Sequence, residues 1–501
     1  MIMFHSKLSN LLLLSLTVSL LTSCGAEAAS PASENTSANE NNTETPAAET
    51  VTENNDLSDN LPADLDLGGV QLKILARGND DSYQEIDAED DGDVVHSAVF
   101  ERNLALEERL NVDLVPIRGD GWETYGNTLT KIRASVQSGA NEYQLIAGFG
   151  PSIVSLAPEN LMYDLNTLSY PDISRPWWNR SVVDTTQILG HLYFLTGDIG
   201  LITILSGAYA IYENNTMVNQ YDLESAADYV RNGTWTIDRL KTMCKTVFRD
   251  MDGNGVFDEN DQYGFCVDNT SYGNFFAVGA YTHQVALNAD GLPEFTPQIE
   301  RVATLVEKIE PLFSKDGAEF GSYFTKIGGK HYEMFSNGQL LFSSAEVLLS
   351  TWAQFRDMED EYTILPYPKL DESQDKYYVH AANAASLWCI PTDNPEPETA
   401  AAVMEAMGCY NYNILTPIYF ETCLQNKHSR NEDTIEMLNL IRDGAWIDLE
   451  YSYGNILGNT NNIVSTILSA SNHDVASWYA KNEKKINSAI EKTVDKFRVL
   501  E

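Results

Sequence analysis

The sequence predicts an α/β protein built on a parallel sheet with helices on both faces. Three observations carry that reading. Strand-like and helix-like segments alternate from residue 70 to residue 147. The hydrophobic fraction is 43%, near that of ordinary soluble domains, and 10% of residues are aromatic, so most of the chain folds around a core. At roughly 100–200 residues per domain, 501 residues allow two to four units.

The elements follow in order. Val70-Gln71-Leu72-Lys73-Ile74-Leu75-Ala76 alternates apolar and polar residues before turning continuously apolar, as a strand does on entering a covered sheet. Gly78-Asn79-Asp80-Asp81 ends it. Val95, Val99, Leu106 and Leu110 recur at helical spacing, and Val112-Asp113-Leu114-Val115 resumes as a strand. A second helix is expected from about Trp122 to Gln137 and a third strand over Tyr143 to Ala147. Strand, helix, strand, helix, strand implies parallel pairing. Ligands in such sheets sit beyond the carboxyl ends of the strands, here the loops Gly78 to Asp81 and Gly148-Phe149-Gly150-Pro151. Apolar runs follow at 192–195 and 208–212, and helices dominate from Met217. Thr236, with Asp238 in the first turn, reads as a helix N-cap. Residues 339–344 and 386–391 are strand candidates, 362–368 is an extended segment closed by prolines, and the chain from about Glu398 is mostly helical.

Charge narrows the function. Thirty-two Lys and Arg stand against 73 Asp and Glu, a formal charge of −41. That balance excludes a nucleic-acid surface, which needs clustered cations against phosphate, and a polybasic patch for anionic lipid.

The N-terminus reads as an address. His5 and Lys7 precede an apolar run from Leu11 to Leu21, too short for a permanent span of ~20 residues but suited to a signal peptide over 1–23. Leu21-Thr22-Ser23-Cys24 resembles the bacterial lipobox, which implies cleavage before Cys24 and a lipid on its sulfur. Residues 24–65 hold nine acids and no Lys, Arg or aromatic residue, so a disordered acidic tether is expected. The expected location is the outer face of the cytoplasmic membrane, with the body held through Cys24 only. Five cysteines remain after it, with no C-x-x-C pair, and none is assigned a function.

The order of features resembles type 1 extracellular solute-binding proteins of carbohydrate ABC importers, the group related to maltodextrin receptors. The residues that carry the resemblance are Arg102-Asn103, Pro176-Trp177-Trp178, Gly190-His191-Leu192-Tyr193-Phe194 and Gly233-Thr234-Trp235-Thr236. Further on come Met334-Phe335-Ser336-Asn337-Gly338, Ile364-Leu365-Pro366-Tyr367-Pro368-Lys369 and Pro417-Ile418-Tyr419-Phe420-Glu421. The resemblance implies two α/β lobes joined by hinge strands and closing on a ligand in a central cleft. Lobe 1 would take 66–205 and 367–410, and lobe 2, helix-rich, 206–366 and 411–501. The hinge crossings would be 208–212 and 363–366. It also implies a sugar or oligosaccharide ligand, an ABC permease partner and a monomer.

One motif stands apart. Asp250-Met251-Asp252-Gly253-Asn254-Gly255-Val256-Phe257-Asp258-Glu259-Asn260-Asp261 follows the EF-hand loop template. Asp250, Asp252, Asn254 and Asp258 supply oxygens at positions one, three, five and nine, and Val256 offers its carbonyl at seven. Gly255 allows the sharp turn at six. Asp261 stands at twelve, where glutamate normally gives a bidentate arm. The expectation is structural calcium at the ~10⁻⁴–10⁻³ M affinity of extracellular modules.

Sugars present apolar C–H faces and dense hydroxyls, so aromatic platforms beside carboxylates and amides are the expected lining. The candidate ligand residues are Asp81, Phe149, Trp178, Asp198, Tyr272, Asn274, Glu346, Trp352 and Tyr453. No catalytic residue is assigned. A secreted glycoside hydrolase is the alternative, but 73 acids make a carboxylate pair uninformative, and no G-x-S-x-G, H-E-x-x-H or P-loop motif occurs.

Overall fold

The computed structural model describes residues 57–326, 328–351, 353–381, 385–424 and 432–500. The expected signal peptide, Cys24 and the tether up to residue 56 lie outside these residues, as does Trp352.

The alternating run Val70–Ala76 is a strand (β1), and Val112–Arg118 (β2) and Leu145–Phe149 (β3) lie parallel to it on either side. Between them run the helices Val94–Leu110 (α1) and Tyr125–Ser138 (α2). The α1 helix starts where the Asp93 carboxylate accepts from the Val95 and His96 amides, and ends at Asn111 in the left-handed region. Strand β2 runs through Pro116 because it is the sheet edge, where a missing N–H costs no ladder bond. Strand β3 begins two residues later than expected and therefore carries Gly148 and Phe149 inside it. A Cβ on Gly148 would lie 2.6 Å from Ile153, so only glycine lets the chain turn this tightly out of the strand.

A second sheet gathers Tyr209–Asn214 (β4), Tyr263–Val267 (β5), Ser322–Phe324 (β6), Leu340–Glu346 (β7) and Tyr362–Leu365 (β8), in the order β8-β4-β7-β5-β6. Strands β4 and β8, the segments expected to cross between lobes, pair antiparallel. Ser386–Cys389 (β9) then returns to the first sheet, antiparallel to β3. Helix Ile237–Val247 (α3) starts at Thr236, whose side chain accepts from the Arg239 amide, and packs on β5. Strands β5, β7 and β8 of this sheet are buried on both faces, which explains their largely apolar character.

The remaining elements used below are Tyr272–Gly279 (α4), Leu449–Tyr453 (α5), Ile463–Ser469 (α6) and Val475–Arg498 (α7). Residues 411–501 were expected to accompany the second sheet, but they touch both halves. The Asn411 side chain donates to the Asp198 carbonyl (2.8 Å) and Asn455 to the Pro151 carbonyl (3.0 Å), while Asn462 and Ser465 bind Asn274.

Residues 57–65 correct the tether's expected end: they are laid on the body. Leu61 is buried, Arg109 Nη2 donates to Asp59 (2.7 Å), and Asn413 donates to the Leu57 carbonyl (2.7 Å). Leu61 and Leu65, in an otherwise polar stretch, supply the apolar contact that composition alone hid. Arg102 and Asn103 are structural: buried Arg102 donates to the carbonyls of Glu85 (3.0 Å) and Ile86 (3.1 Å), and Asn103 to Ile86 (2.8 Å). Cys244, Cys266, Cys389 and Cys409 are buried free thiols. Among the described residues no helix is long and apolar enough to cross a membrane.

Candidate functional site

The strand ends of both sheets face one cleft of about 640 Å³, inside the range of ligand pockets. The first sheet contributes Arg77 and Asn79 after β1, and Phe149 and Pro151 after β3. The second contributes Tyr209 at the start of β4 and Glu346 at the end of β7, which are cross-strand partners. Helix α4 and its exit add Asn274, Phe275 and Tyr281. The C-terminal segment adds Trp446, Asp448, Glu450, Tyr451 and a row of amides, Asn455, Asn461 and Asn462.

The aromatic side chains are held rigidly. Tyr209 stacks on Phe275 at 3.6 Å between centroids and donates its hydroxyl to Glu346 Oε1 (3.1 Å). Tyr281 stacks on Tyr378 at 4.1 Å, with Trp446 edge-on to both. Trp122 differs: its amide is fixed by Asn79 Oδ1 (2.9 Å), yet the residue is 57% exposed at the cleft. A large ring left open to water at a cleft is a surface waiting for an apolar face.

The charges are unequal. Glu346, Asp448 and Glu450 line the cleft against a single arginine, Arg77, whose Nε donates to Ser82 (2.8 Å) and whose guanidinium lies 5.4 Å from the Phe149 ring centre. Burial pushes the His380 imidazole down to about 4 and lowers that of His283, so both rings are neutral at neutral pH. Asp448 accepts from Trp446 Nε1 (2.9 Å) and caps α5 through the Tyr451 amide (2.8 Å).

Three of the nine sequence candidates, Phe149, Asn274 and Glu346, line this cleft. Asn274 is already engaged on both sides of its amide, donating to Asn462 (3.0 Å) and accepting from the Ser465 amide (3.0 Å), which makes it a clip between α4 and α6. Tyr272 lies one layer behind the wall, its hydroxyl within 3.0 Å of His331 Nε2 and its ring edge-on to Tyr209. Trp178 is corrected to core: it is 1% exposed, and its Nε1 donates to Glu405 (3.3 Å). Asp198 is half-buried away from the cleft lining, bonded to Thr416, and desolvation raises its carboxyl to about 6. Tyr453 packs between Phe194 and Phe497. On the same short helix, Glu450 and Tyr451 line the cleft and Tyr453 does not. Asp81 sits in the short helix Asp80–Gln84, and its side chain lies outside the described part of the structure.

The sequence reading missed Trp122, Tyr281, His380, Trp446 and Glu450. For Trp122 a signal existed, since an aromatic residue opening a helix after Gly119-Asp120-Gly121 is placed at a strand's carboxyl end.

The acidic loop 250–261 hangs from β5, its base closed by paired backbone bonds between Arg249 and Gln262 (3.0 and 3.1 Å). Oxygens of Asp250, Asp252 and Asp261 lie within 4.8 Å of one another. Asp261 is 1% exposed and faces inward, accepting from the Met251 amide (2.9 Å). Asn254 accepts from the Val256 amide, and Asp258 from Asn260. Three converging carboxylates and a left-handed glycine (Gly255, φ 72°) fit a hard, oxygen-seeking cation.

No protein-family model and no curated protein matches the chain. Solved structures do. The backbone is similar to a cyclo/maltodextrin-binding protein complexed with maltotetraose (9% identity, 85% of this chain and 97% of that one, TM-score 0.52). It is similar to an extracellular solute-binding protein from Staphylococcus aureus in complex with maltose (11%, 86% and 98%, 0.52). It is also similar to a cyclic α-maltosyl-1,6-maltose binding protein from Arthrobacter globiformis (15%, 85% and 100%, 0.53). At these identities the likeness establishes the fold: two α/β lobes of the periplasmic-binding-protein type around a central cleft.

Proposed function

We propose that this protein is an extracytoplasmic receptor that captures a neutral sugar or oligosaccharide between its lobes and delivers it to an ABC permease. One observation carries the reading: a cleft of about 640 Å³ whose lining joins fixed aromatic faces to amides and carboxylates. Aromatic faces suit sugar C–H surfaces, and the amides and acids suit hydroxyls. Among the described residues a single arginine stands against three acids, which disfavours phosphorylated or carboxylated solutes, since a buried anion needs compensating cations. The structures of similar fold reported above hold maltotetraose or maltose, which supports the class of ligand.

The rest of the reading rests on the sequence. A lipid on Cys24 would hold the protein at the outer face of the cytoplasmic membrane, and the acidic segment behind it would let a monomeric body reach its permease. Asp250, Asp252, Asn254, Val256, Asp258 and Asp261 would hold calcium, which would pin the loop between α3 and β5 and take no part in ligand capture. Hinge closure on the ligand is the working motion, and the solute leaves chemically unchanged.

The test is a thermal-shift screen of the purified protein against a glycan panel that includes maltose and maltotetraose, followed by chromatography of the incubated sugars. Saturable stabilisation with intact sugar is expected. Steady release of shorter sugars would replace the receptor by a hydrolase.

A further inference from the structure

Glu450 is the least comfortable group in the cleft. It is 8% exposed, lines the cavity, and has one hydrogen bond, from the Gln284 amide to Oε2 (2.6 Å). No hydrogen bond to its other oxygen, Oε1, forms among the described residues, and that oxygen is not closed off from the cavity the residue lines. A carboxylate in this position would also face like charge.

Among the described residues no cation is paired with it: Arg77, which lines the same cleft, donates to Ser82. On its own element, Asp448 is the one charged neighbour that acts on it, and Tyr451 packs against His380. From the segment at 283–285, His283 is held neutral by burial and lies 3.0 Å from Gln298 Nε2. From α7, the Tyr479 hydroxyl donates to the Gln284 side chain. From the helix Ile299–Ile309, Arg301 is committed to the Ala280 carbonyl (2.9 Å).

From this geometry we propose that Glu450 is a specificity-determining residue that binds as a neutral acid, donating a hydrogen bond from Oε1 to an acceptor oxygen of the solute. The inference rests on the sugar-receptor reading and extends it. Because the Gln284 N–H points at Oε2, that oxygen is the carbonyl of the acid, and the proton belongs on Oε1. Burial, with Asp448 beside it, raises the carboxyl well above the ordinary carboxylate range, consistent with that assignment. A neutral acid offers a donor where an ionised one would offer only acceptors. Sugars carry ring and glycosidic oxygens that accept without donating, and such an oxygen is the partner this site selects.

The experiment compares wild type, Glu450→Gln and Glu450→Ala in the full chain. First, the tightest neutral oligosaccharide of a panel including maltotetraose is titrated by calorimetry. Glutamine keeps both roles, its carbonyl towards Gln284 and its N–H₂ towards the cleft. It should bind within about threefold of wild type, whereas alanine should lose about tenfold. Second, the infrared difference between wild type and Glu450→Gln at pH 7 should contain a protonated-carboxyl band that moves when sugar is added. This arm does not depend on alanine folding. Alanine binding as tightly as wild type, glutamine losing as much as alanine, or a carboxylate band in place of the acid each overturns the proposal. Those results leave the receptor reading standing. No binding to wild type by any sugar of the panel removes both.

Discussion

Trp122→Ala isolates the cleft's platform from its stability. The residue is 57% exposed and its amide, not its ring, is tied to Asn79. A tryptophan offers roughly 250 Å² at most, so about 140 Å² stands open to water. A sugar face that covers half of it removes about 70 Å². At ~25 cal/mol per Å² this is about 1.8 kcal/mol, or about 20-fold in Kd. The fold itself should lose less than about 0.5 kcal/mol, because an exposed ring contributes little to the core. Calorimetric titration of wild type and variant with one bound oligosaccharide measures the first quantity, and urea unfolding without sugar measures the second. A Kd within twofold of wild type would refute Trp122 as the platform. An equal loss of affinity and stability would refute the claim that the ring stands open rather than packed.

Three further outcomes are expected. Calcium at 1 mM against a Kd of about 10⁻⁴ M should stabilise the protein by about 1.4 kcal/mol relative to chelator, and Asp252→Asn should abolish the response; identical melting curves with calcium and chelator remove the metal. Trp178→Phe should lower stability by about 1–3 kcal/mol through lost packing and the lost bond to Glu405, with sugar affinity unchanged in the same titration. Glu213 is buried, with Ala226 and Ser225 donating to it at 2.8 Å, and burial raises its carboxyl from 4.5 to about 7. The folded state then holds a proton that the unfolded state releases. The resulting stability, about 3 kcal/mol, is present below pH ~4.5 and is lost as pH rises through about 7. Urea midpoints from pH 4.5 to 8 should therefore fall less steeply for Glu213→Gln than for wild type, and parallel slopes would sink the assignment.

Much of the frame is readable from the residues because it is set locally. The alternation in Val70–Ala76, the helical spacing up to Leu110 and the cap at Thr236 each describe a few neighbouring residues, and each forms where expected. The acidic loop is similar: its carboxylate spacing is a property of twelve consecutive positions, and three of its carboxylates converge. Residues 57–65 defeated composition because two leucines among acids, Leu61 and Leu65, only matter once the core, Arg109 and Asn413 are brought beside the segment.

The cleft is another kind of object. Its lining comes from strand ends near residues 77, 149, 209 and 346 and from a helical segment more than a hundred residues further on. Which side chain faces inward there depends on strand register and helix rotation, and a shift of one residue reverses or turns the exposed face. That is why Phe149 and Glu346, at strand ends, reach the cleft lining, while on one short helix Glu450 and Tyr451 line it and Tyr453 does not. It is also why Trp178, indistinguishable by type from Trp122, belongs to the core. The sequence by itself determined the elements, their alternation and the acidic loop, since these depend on neighbours in the chain. Only the tertiary structure decided which acids and rings share the cavity, because that follows from the packing of segments far apart in sequence.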